Sequence, residues 1–490
     1  MTQSSNSPGQ RGQMQAGGGV RYEHAGADYF EKRGLKRHAG AWSLWGLGVA
    51  AVISGDFSGW NLGIGEAGWG GMLIATIVIG LMYLLMVYSI AEMSAAMPHT
   101  GGAYSFARSA MGPWGGFVTG LAETIEYVIT TAVVGVFCGT YADAITDDLF
   151  GFSMPLSLWV LVFYVIFVSL NASGAAASFK FAMVITIISL SVLALFAVMA
   201  IFSGKFSFDN LWNIDGGFLP HGIKGVLLAL PFAIWFFLGI EELPLAAEET
   251  HTPQQDIPRG SLMGMWTLLG SAFVVLILNP GVVGAQQISD VNNPASGEPI
   301  LAGFRAILPD SNIASLLSLF ALAGLVASFQ GIMFAAGRNM YSLSRAGYYP
   351  KALSLTGGRK VPYVALIASA VIGLGLIYGW SAIAGEDNVV VAGSLLNIAV
   401  FGGVIAYVLQ MVSFTLLRRR FAGVSRPYMS PVGVGGAVVA GLIAATTLVI
   451  LPTNAAYRQA VLGVAAFYVV GIAYFALWGR SRLVLSPEEE

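Results

Sequence analysis

Val52-Ile53-Ser54-Gly55-Asp56-Phe57-Ser58-Gly59-Trp60-Asn61 sets two glycines, two serines and a carboxylate in the middle of an apolar run. Further along the chain, Phe237-Leu238-Gly239-Ile240-Glu241-Glu242-Leu243-Pro244 does much the same. A simple membrane anchor has no use for such interruptions. Unpartnered backbone in lipid costs several kcal/mol per group, so broken segments persist only where they line a cavity enclosed by protein. The competing reading is that the glycines merely let helices pack closely.

The surroundings of both stretches are those of a bilayer protein. Of the 490 residues, 56% are hydrophobic and only 10% charged, with a mean hydropathy of +0.73; a soluble domain carries about 25% charged residues. Apolar runs bounded by charges or Pro/Gly breaks predict spans near 39–64, 70–97, 113–144, 154–173, 180–203, 223–247, 260–283, 313–340, 361–380, 389–416, 431–451 and 457–479. With both termini cytoplasmic, only Lys205, Lys224, Arg305 and Arg458 fall outside, leaving 24 − 4 = 20 of the Lys and Arg residues inside. That positive-inside bias supports twelve spans, because one span more or fewer would scramble it.

Residues 1–28 are rich in Gly, Ser and Gln and read as a disordered cytoplasmic tail, not a cleaved signal peptide. The remainder divides into a transport core at 29–416, two additional helices at 417–479 and a cytoplasmic tail at 480–490. A net charge of −2 suggests no nucleic-acid partner, and the single Cys138 and five scattered histidines offer neither a disulfide nor a metal set. No nucleophile elbow or phosphate loop is present, so the sequence reads as neither an enzyme nor an ATP-driven pump, and no cofactor is expected.

The first and sixth spans occupy equivalent positions if spans one to five and six to ten are two halves of an inverted repeat. Broken helices in corresponding positions are the usual sequence pointer to a secondary transporter's midplane site. The expected fold is therefore an all-α polytopic membrane protein of twelve helices. Its core is a five-plus-five inverted repeat with helices one and six broken, and two helices are additional.

Specific motifs agree. Glu92-Met93-Ser94-Ala95-Ala96-Met97-Pro98-His99-Thr100-Gly101-Gly102-Ala103-Tyr104 resembles the signature after the second helix of the amino acid–polyamine–organocation permeases. Gly337-Arg338-Asn339-Met340-Tyr341-Ser342-Leu343-Ser344-Arg345-Ala346-Gly347 is similar to that superfamily's motif after the eighth helix, and Ala247-Glu248-Glu249 through Ile257-Pro258-Arg259 to the one after the sixth. Within the superfamily, Tyr29 to Arg33, Ile53 to Asn61 and Gly120 to Tyr127 look most like the ethanolamine permeases. The resemblance implies a small amine carried by alternating access across a bacterial cytoplasmic membrane, held against broken helices one and six and covered by aromatics of the sixth.

Amino-acid members of the superfamily commonly have G-[STA]-G-[IM]-F in the first helix, where bare amides bind the substrate carboxylate. Aligned on Phe57, this chain has Ile53-Ser54-Gly55-Asp56-Phe57, which puts an anion in the carboxylate's neighbourhood. Like charges disfavour one another, so a cationic amine is the better guest. Glu126 aligns with an acid common in the third helix, and Glu123 adds a second on the same helical face.

The expected binding residues are Ser54, Gly55, Asp56, Ser58, Gly59, Glu123, Glu126, Trp235, Phe236, Phe237 and Gly239, with Glu241 and Ser189 in structural or gating roles. Each has a duller reading. Asp56 can cap the second half-helix, Glu123 can sit in a cytoplasmic vestibule, Glu126 can link helices, and the aromatics can be core. Lysine-based proton coupling is doubtful because Ser189 stands where proton-coupled members carry lysine. That leaves H+ carried by a carboxylate, a cation such as Na+ near Ser189, or simple exchange. The rival readings are an amino-acid or other small-amine permease and, from a different class, a channel or ligand sensor on a transporter fold.

Overall fold

The computed structural model describes residues 14–16, 19–23, 27–309, 312–384, 388–453 and 458–484. A short helix α1 (Ala27–Glu31) precedes α2 (Ala41–Val52), a single turn α3 (Ser54–Phe57) and α4 (Leu62–Ala96). The next helices are α5 (Gly102–Phe150), α6 (Leu156–Ser173), α7 (Ala175–Phe202) and α8 (Gly222–Trp235). After α8 comes a 3-10 segment, Ile240–Glu249, then α9 (Pro253–Val283), the short α10 (Ala285–Ser289) and α11 (Pro299–Ile307). The chain closes with α12 (Asn312–Arg345), α13 (Tyr363–Ala384), α14 (Asn388–Arg420), α15 (Gly433–Ile450) and α16 (Arg458–Leu477).

Among the described residues, eleven helical stretches are long and apolar enough to cross a bilayer, and the interrupted α2–α3 stretch supplies the first of the twelve crossings read from the sequence. Two continuous helices hide boundaries. Gly68 (φ 71°) bends α4 where a Cβ would meet the Pro220 ring at 2.4 Å, which separates the end of the first span from the second. Gly112 (φ 80°), followed by Pro113, likewise divides a surface segment from the third span within α5.

Burial sorts the helices into layers. The most apolar window of α5 is 83% buried and that of Ala460–Ser481 only 17%, so α5 is enclosed and α16 faces lipid. The third and tenth spans, α5 and α14, lie along one another; α5 also packs on α12, and α4 packs on α8. The broken first span rests on α7, α9 and α12.

Part of the N-terminal tail departs from the disordered reading. Strand β1 (Met14–Ala16) pairs antiparallel with β2 (Val20–Glu23), which pairs in parallel with β3 (Leu483–Val484). Val20 and Leu483 bury against Tyr104, Leu343, Tyr348 and Phe475, an apolar contact that a run of Gly, Ser and Gln does not advertise. The first and last described strands thus meet on one face, here called the tail face.

Buried ion pairs tie that face together. Arg338 of α12, 1% exposed, bonds Glu249 through Nε and Nη2 at 2.8 Å each and stacks over the Phe334 ring. Arg345 bonds Glu248 at 2.6 Å. The amides of His38 and Ala39 donate to the Glu249 carbonyl at 2.7 and 2.9 Å, and Tyr29 donates to the Arg345 carbonyl at 2.8 Å. Removing one partner of a buried pair leaves an uncompensated charge, so Arg338→Ala is expected to lower unfolding stability by about 3–5 kcal/mol. The double variant Arg338→Met, Glu249→Leu is expected to recover most of it, as measured by denaturation in detergent.

Candidate functional site

The first helix does not simply stop at the break. Ile53 stays helical, α3 adds one turn, and the chain then opens at Ser58 (φ −163°, ψ 158°) and Gly59 (φ 94°). Several of the freed backbone groups find partners. The Ser54 amide donates to Ser328 Oγ at 2.8 Å, and that hydroxyl donates to the Ala50 carbonyl at 2.8 Å, so one α12 serine bridges the fraying turn. Tyr141 of α5 donates to the Phe57 carbonyl at 2.7 Å, Trp235 Nε1 to the Ser58 carbonyl at 3.0 Å, and the Gly59 amide to Asn61 Oδ1 at 3.1 Å. This matches the rule that irregular backbone at membrane depth needs a protein lining.

The sixth helix breaks in register with the first. α8 ends at Trp235, Phe236–Leu238 form turns, and Gly239 takes φ 113°, a conformation glycine tolerates. The two breaks touch directly: a Cβ on Gly55 would stand 2.3 Å from the Trp235 carbonyl oxygen. Trp60 stacks on Phe236 (5.4 Å, 25°) and Phe137 meets Trp235 edge-on at 6.2 Å. Phe237 turns away toward Tyr83 of α4 at 5.5 Å. The expected residues Ser54, Gly55, Ser58, Gly59, Trp235, Phe236 and Gly239 therefore share one buried junction, with Phe237 at its edge.

The acids do not converge. Asp56, in the single turn α3 beside the junction, is 1% exposed and has no ion-pair partner among the described residues. The Ser271 hydroxyl of α9 is within reach of the Asp56 carboxyl and also donates to the Leu268 carbonyl at 3.2 Å. Glu123 accepts from the Ala103 and Tyr104 amides at 3.3 and 3.2 Å, and so caps the surface segment of α5 near the tail face. Glu126 accepts from the Tyr407 hydroxyl at 2.6 Å; Tyr407 also reaches Glu241 Oε1 at 3.3 Å and receives a hydrogen bond from Tyr83 at 2.9 Å. Glu241 in turn takes the Gly239 amide on both oxygens at 3.1 Å. Ser189 donates to its own helix at Ile185 (2.7 Å).

Sequence reasoning missed Tyr141, Ser328 and the Trp60 donor. Trp60 Nε1 is buried and has no partner. Ser328 and Gly331 carried a faint signal, three residues apart on one face of an apolar span; Gly331 lies against the Ala51 backbone.

Opposite the tail face, Ser58 Oγ donates to the Gly297 carbonyl (3.1 Å), Asn61 Nδ2 to the Ser296 carbonyl (2.8 Å), and the Ile300 amide to Tyr141 (3.3 Å). Beside them, Glu298 pairs with Arg305 at 3.0 Å. Burial pushes the Glu298 carboxyl up to about 7, opposed by Arg305. The folded protein holds this proton more tightly than the unfolded chain, so stability falls as pH rises from about 4.5 to about 7 and then levels off. The expected decline from this group is on the order of 2–3 kcal/mol. It should vanish from the pH profile of Glu298→Gln, measured by thermal unfolding between pH 5 and pH 8.

A family profile described as amino acid permease matches residues 44–484. The chain belongs to the amino acid permease family. Among its relatives, the permease is 30% identical over 349 residues to the uncharacterized amino acid permease YtnA of Bacillus subtilis, a match covering 69% of this chain and 72% of that one. It is 25% identical over 445 residues to an uncharacterized transporter of Rhizobium meliloti, covering 90% and 92%. It is 27% identical over 354 residues to the aromatic amino acid transport protein AroP of Escherichia coli K12, covering 70% and 73%. A closed, bromovinylhydantoin-bound nucleobase-cation-symport-1 transporter superposes with a TM-score of 0.48 at 17% identity, over 89% of this chain and 98% of that one. The permease is a multi-pass membrane transporter and not an enzyme.

Proposed function

We propose that the permease carries a small cationic amino alcohol, with ethanolamine the best-fitting example, by alternating access through the junction of the two breaks. The observation that carries this reading is Asp56, buried with no ion-pair partner among the described residues and with only the Ser271 hydroxyl in reach. A buried carboxylate without a partner is costly, and a solute's ammonium group supplies the missing charge and donors. Trp60 Nε1 is an unused donor four residues on, suited to a hydroxyl oxygen. The amides of Ser54 and Gly59, which a substrate carboxylate would need, already serve Ser328 and Asn61. Trp235 and Phe236 offer ring faces to the cation.

Glu123 and Glu126 act outside this contact set, as a cap and in the Tyr407 cluster, although the sequence reading grouped them with the site. The tail face lies in the cytoplasm, following the positive-inside count.

The relatives' names favour a second reading, an amino acid as substrate. A thermal-shift screen of purified protein separates the two. Stabilisation by ethanolamine and not by alanine or phenylalanine supports the amine, and the reverse order defeats it.

A further inference from the structure

Where α14 ends, three arginines follow one another, Arg418-Arg419-Arg420, and Arg426 comes next in the loop to α15. Residues 417–431 contain no Asp or Glu. The acid that meets this group comes from α4. Buried Glu92 accepts from Arg418 Nε at 3.0 Å and Nη2 at 3.1 Å, lies 3.1 Å from Arg426 Nε, and takes the Ser430 amide at 2.8 Å. Two guanidinium groups thus share one carboxylate, and positive charge is left over. Among the described residues, Arg418 Nη1 has no hydrogen-bond partner, and exposed Arg419 has neither a hydrogen bond nor an ion pair. The Ser430 hydroxyl, buried beside the same acid, is also unpartnered.

A run of arginines at a helix end is by itself an ordinary positive-inside stop that also suits the helix dipole. Two observations go further. A cavity of about 230 Å³ lies against the arginine pair, walled by Met93 and Met97 of the α4 end and by Phe414 and Leu417 of α14, with Arg418 and Arg426 as its cationic lining. The loop also exposes Phe421, Val424 and Met429 among its arginines, a mixture that suits the boundary between headgroups and acyl chains better than open water.

We propose that this pocket holds one anionic phospholipid of the cytoplasmic leaflet, its phosphate beside Arg418 and Arg426 in the field of Arg419, and the start of an acyl chain along the apolar wall. Guanidinium forks match phosphate oxygens, and basic pockets between helices on the cytoplasmic side suit acidic headgroups. A free phosphate ion would leave the apolar wall in water, and a zwitterionic lipid would bring its own cation against the arginines. The lipid joins the ends of α4 and α14, whose Tyr83 and Tyr407 hydrogen-bond to one another at 2.9 Å farther along the two helices. This site is separate from the junction of the two breaks and does not depend on the amine reading.

Native mass spectrometry and thermal unfolding of the purified full chain test it. Wild type is expected to keep one phosphatidylglycerol while releasing phosphatidylcholine, and to melt higher in phosphatidylglycerol. Arg419→Gln, which breaks no contact among the described residues, is expected to weaken phosphatidylglycerol binding about fivefold, the worth of one arginine near an anionic surface. Ala96→Phe, which fills the cavity and leaves every charge in place, is expected to remove the one-to-one complex. If Ala96→Phe does not fold, Arg419→Gln decides alone. Equal retention of the two lipids, unchanged affinity in Arg419→Gln, or a one-to-one complex surviving in folded Ala96→Phe overturns the proposal. The same rise in melting point with sodium phosphate also overturns it, since the ligand would then be a free anion.

Discussion

Asp56→Asn is expected to weaken ethanolamine binding about 30-fold or more, because losing one member of a buried, hydrogen-bonded charge pair costs about 2–5 kcal/mol. The same change should make the solute-free protein more stable. In this structure the Asp56 carboxyl is enclosed with no ion-pair partner among the described residues, and an amide of the same shape carries no charge to desolvate. Affinity and stability should therefore move in opposite directions, which a generally damaging substitution does not do. Thermal unfolding with and without ethanolamine reads both at once. Equal affinity in the two proteins would remove Asp56 from the site, and a lower melting point without solute would show that its oxygens are served in the resting state.

Gly55→Ala is expected to abolish uptake. Its new methyl would stand 2.3 Å from the Trp235 carbonyl oxygen and 3.0 Å from the Phe236 Cα, both backbone atoms that cannot swing aside. The breaks must part by about 1 Å to admit it, at an overpacking cost of about 1–3 kcal/mol. The fold should survive that cost. The contact on which Trp235 Nε1 reaches the Ser58 carbonyl should not. A variant that purifies as a folded monodisperse protein yet shows no counterflow meets the expectation; normal counterflow shows that the two breaks separate during the resting cycle without help from glycine.

The spans and both breaks were legible because they are written locally, as apolar runs and as polar residues where lipid permits none. The partners of the acids were not. Glu123 finds the Ala103 and Tyr104 amides only because Gly112 and Pro113 turn the preceding segment back on the third span. Glu126 and Glu241 sit more than a hundred residues apart in sequence and meet through Tyr407 from a third helix. Spacing on one helical face placed Glu123 and Glu126 together, whereas tertiary packing sends them to different partners. Arg338 was counted as a cytoplasmic charge by its position near a span's end, and its near-complete burial with Glu249 depends on where the 3-10 segment stops. The tail strands escaped notice because a three-residue strand has no periodicity to detect, and its partner lies at the far end of the chain.

That pairing has a bearing on biogenesis. β3 is the last described strand to leave the ribosome, after every membrane helix has been handed to the insertion machinery, and β2 is among the first. Until then β2 has only β1 to pair with, so the three-stranded sheet on the tail face is completed after the membrane helices are made.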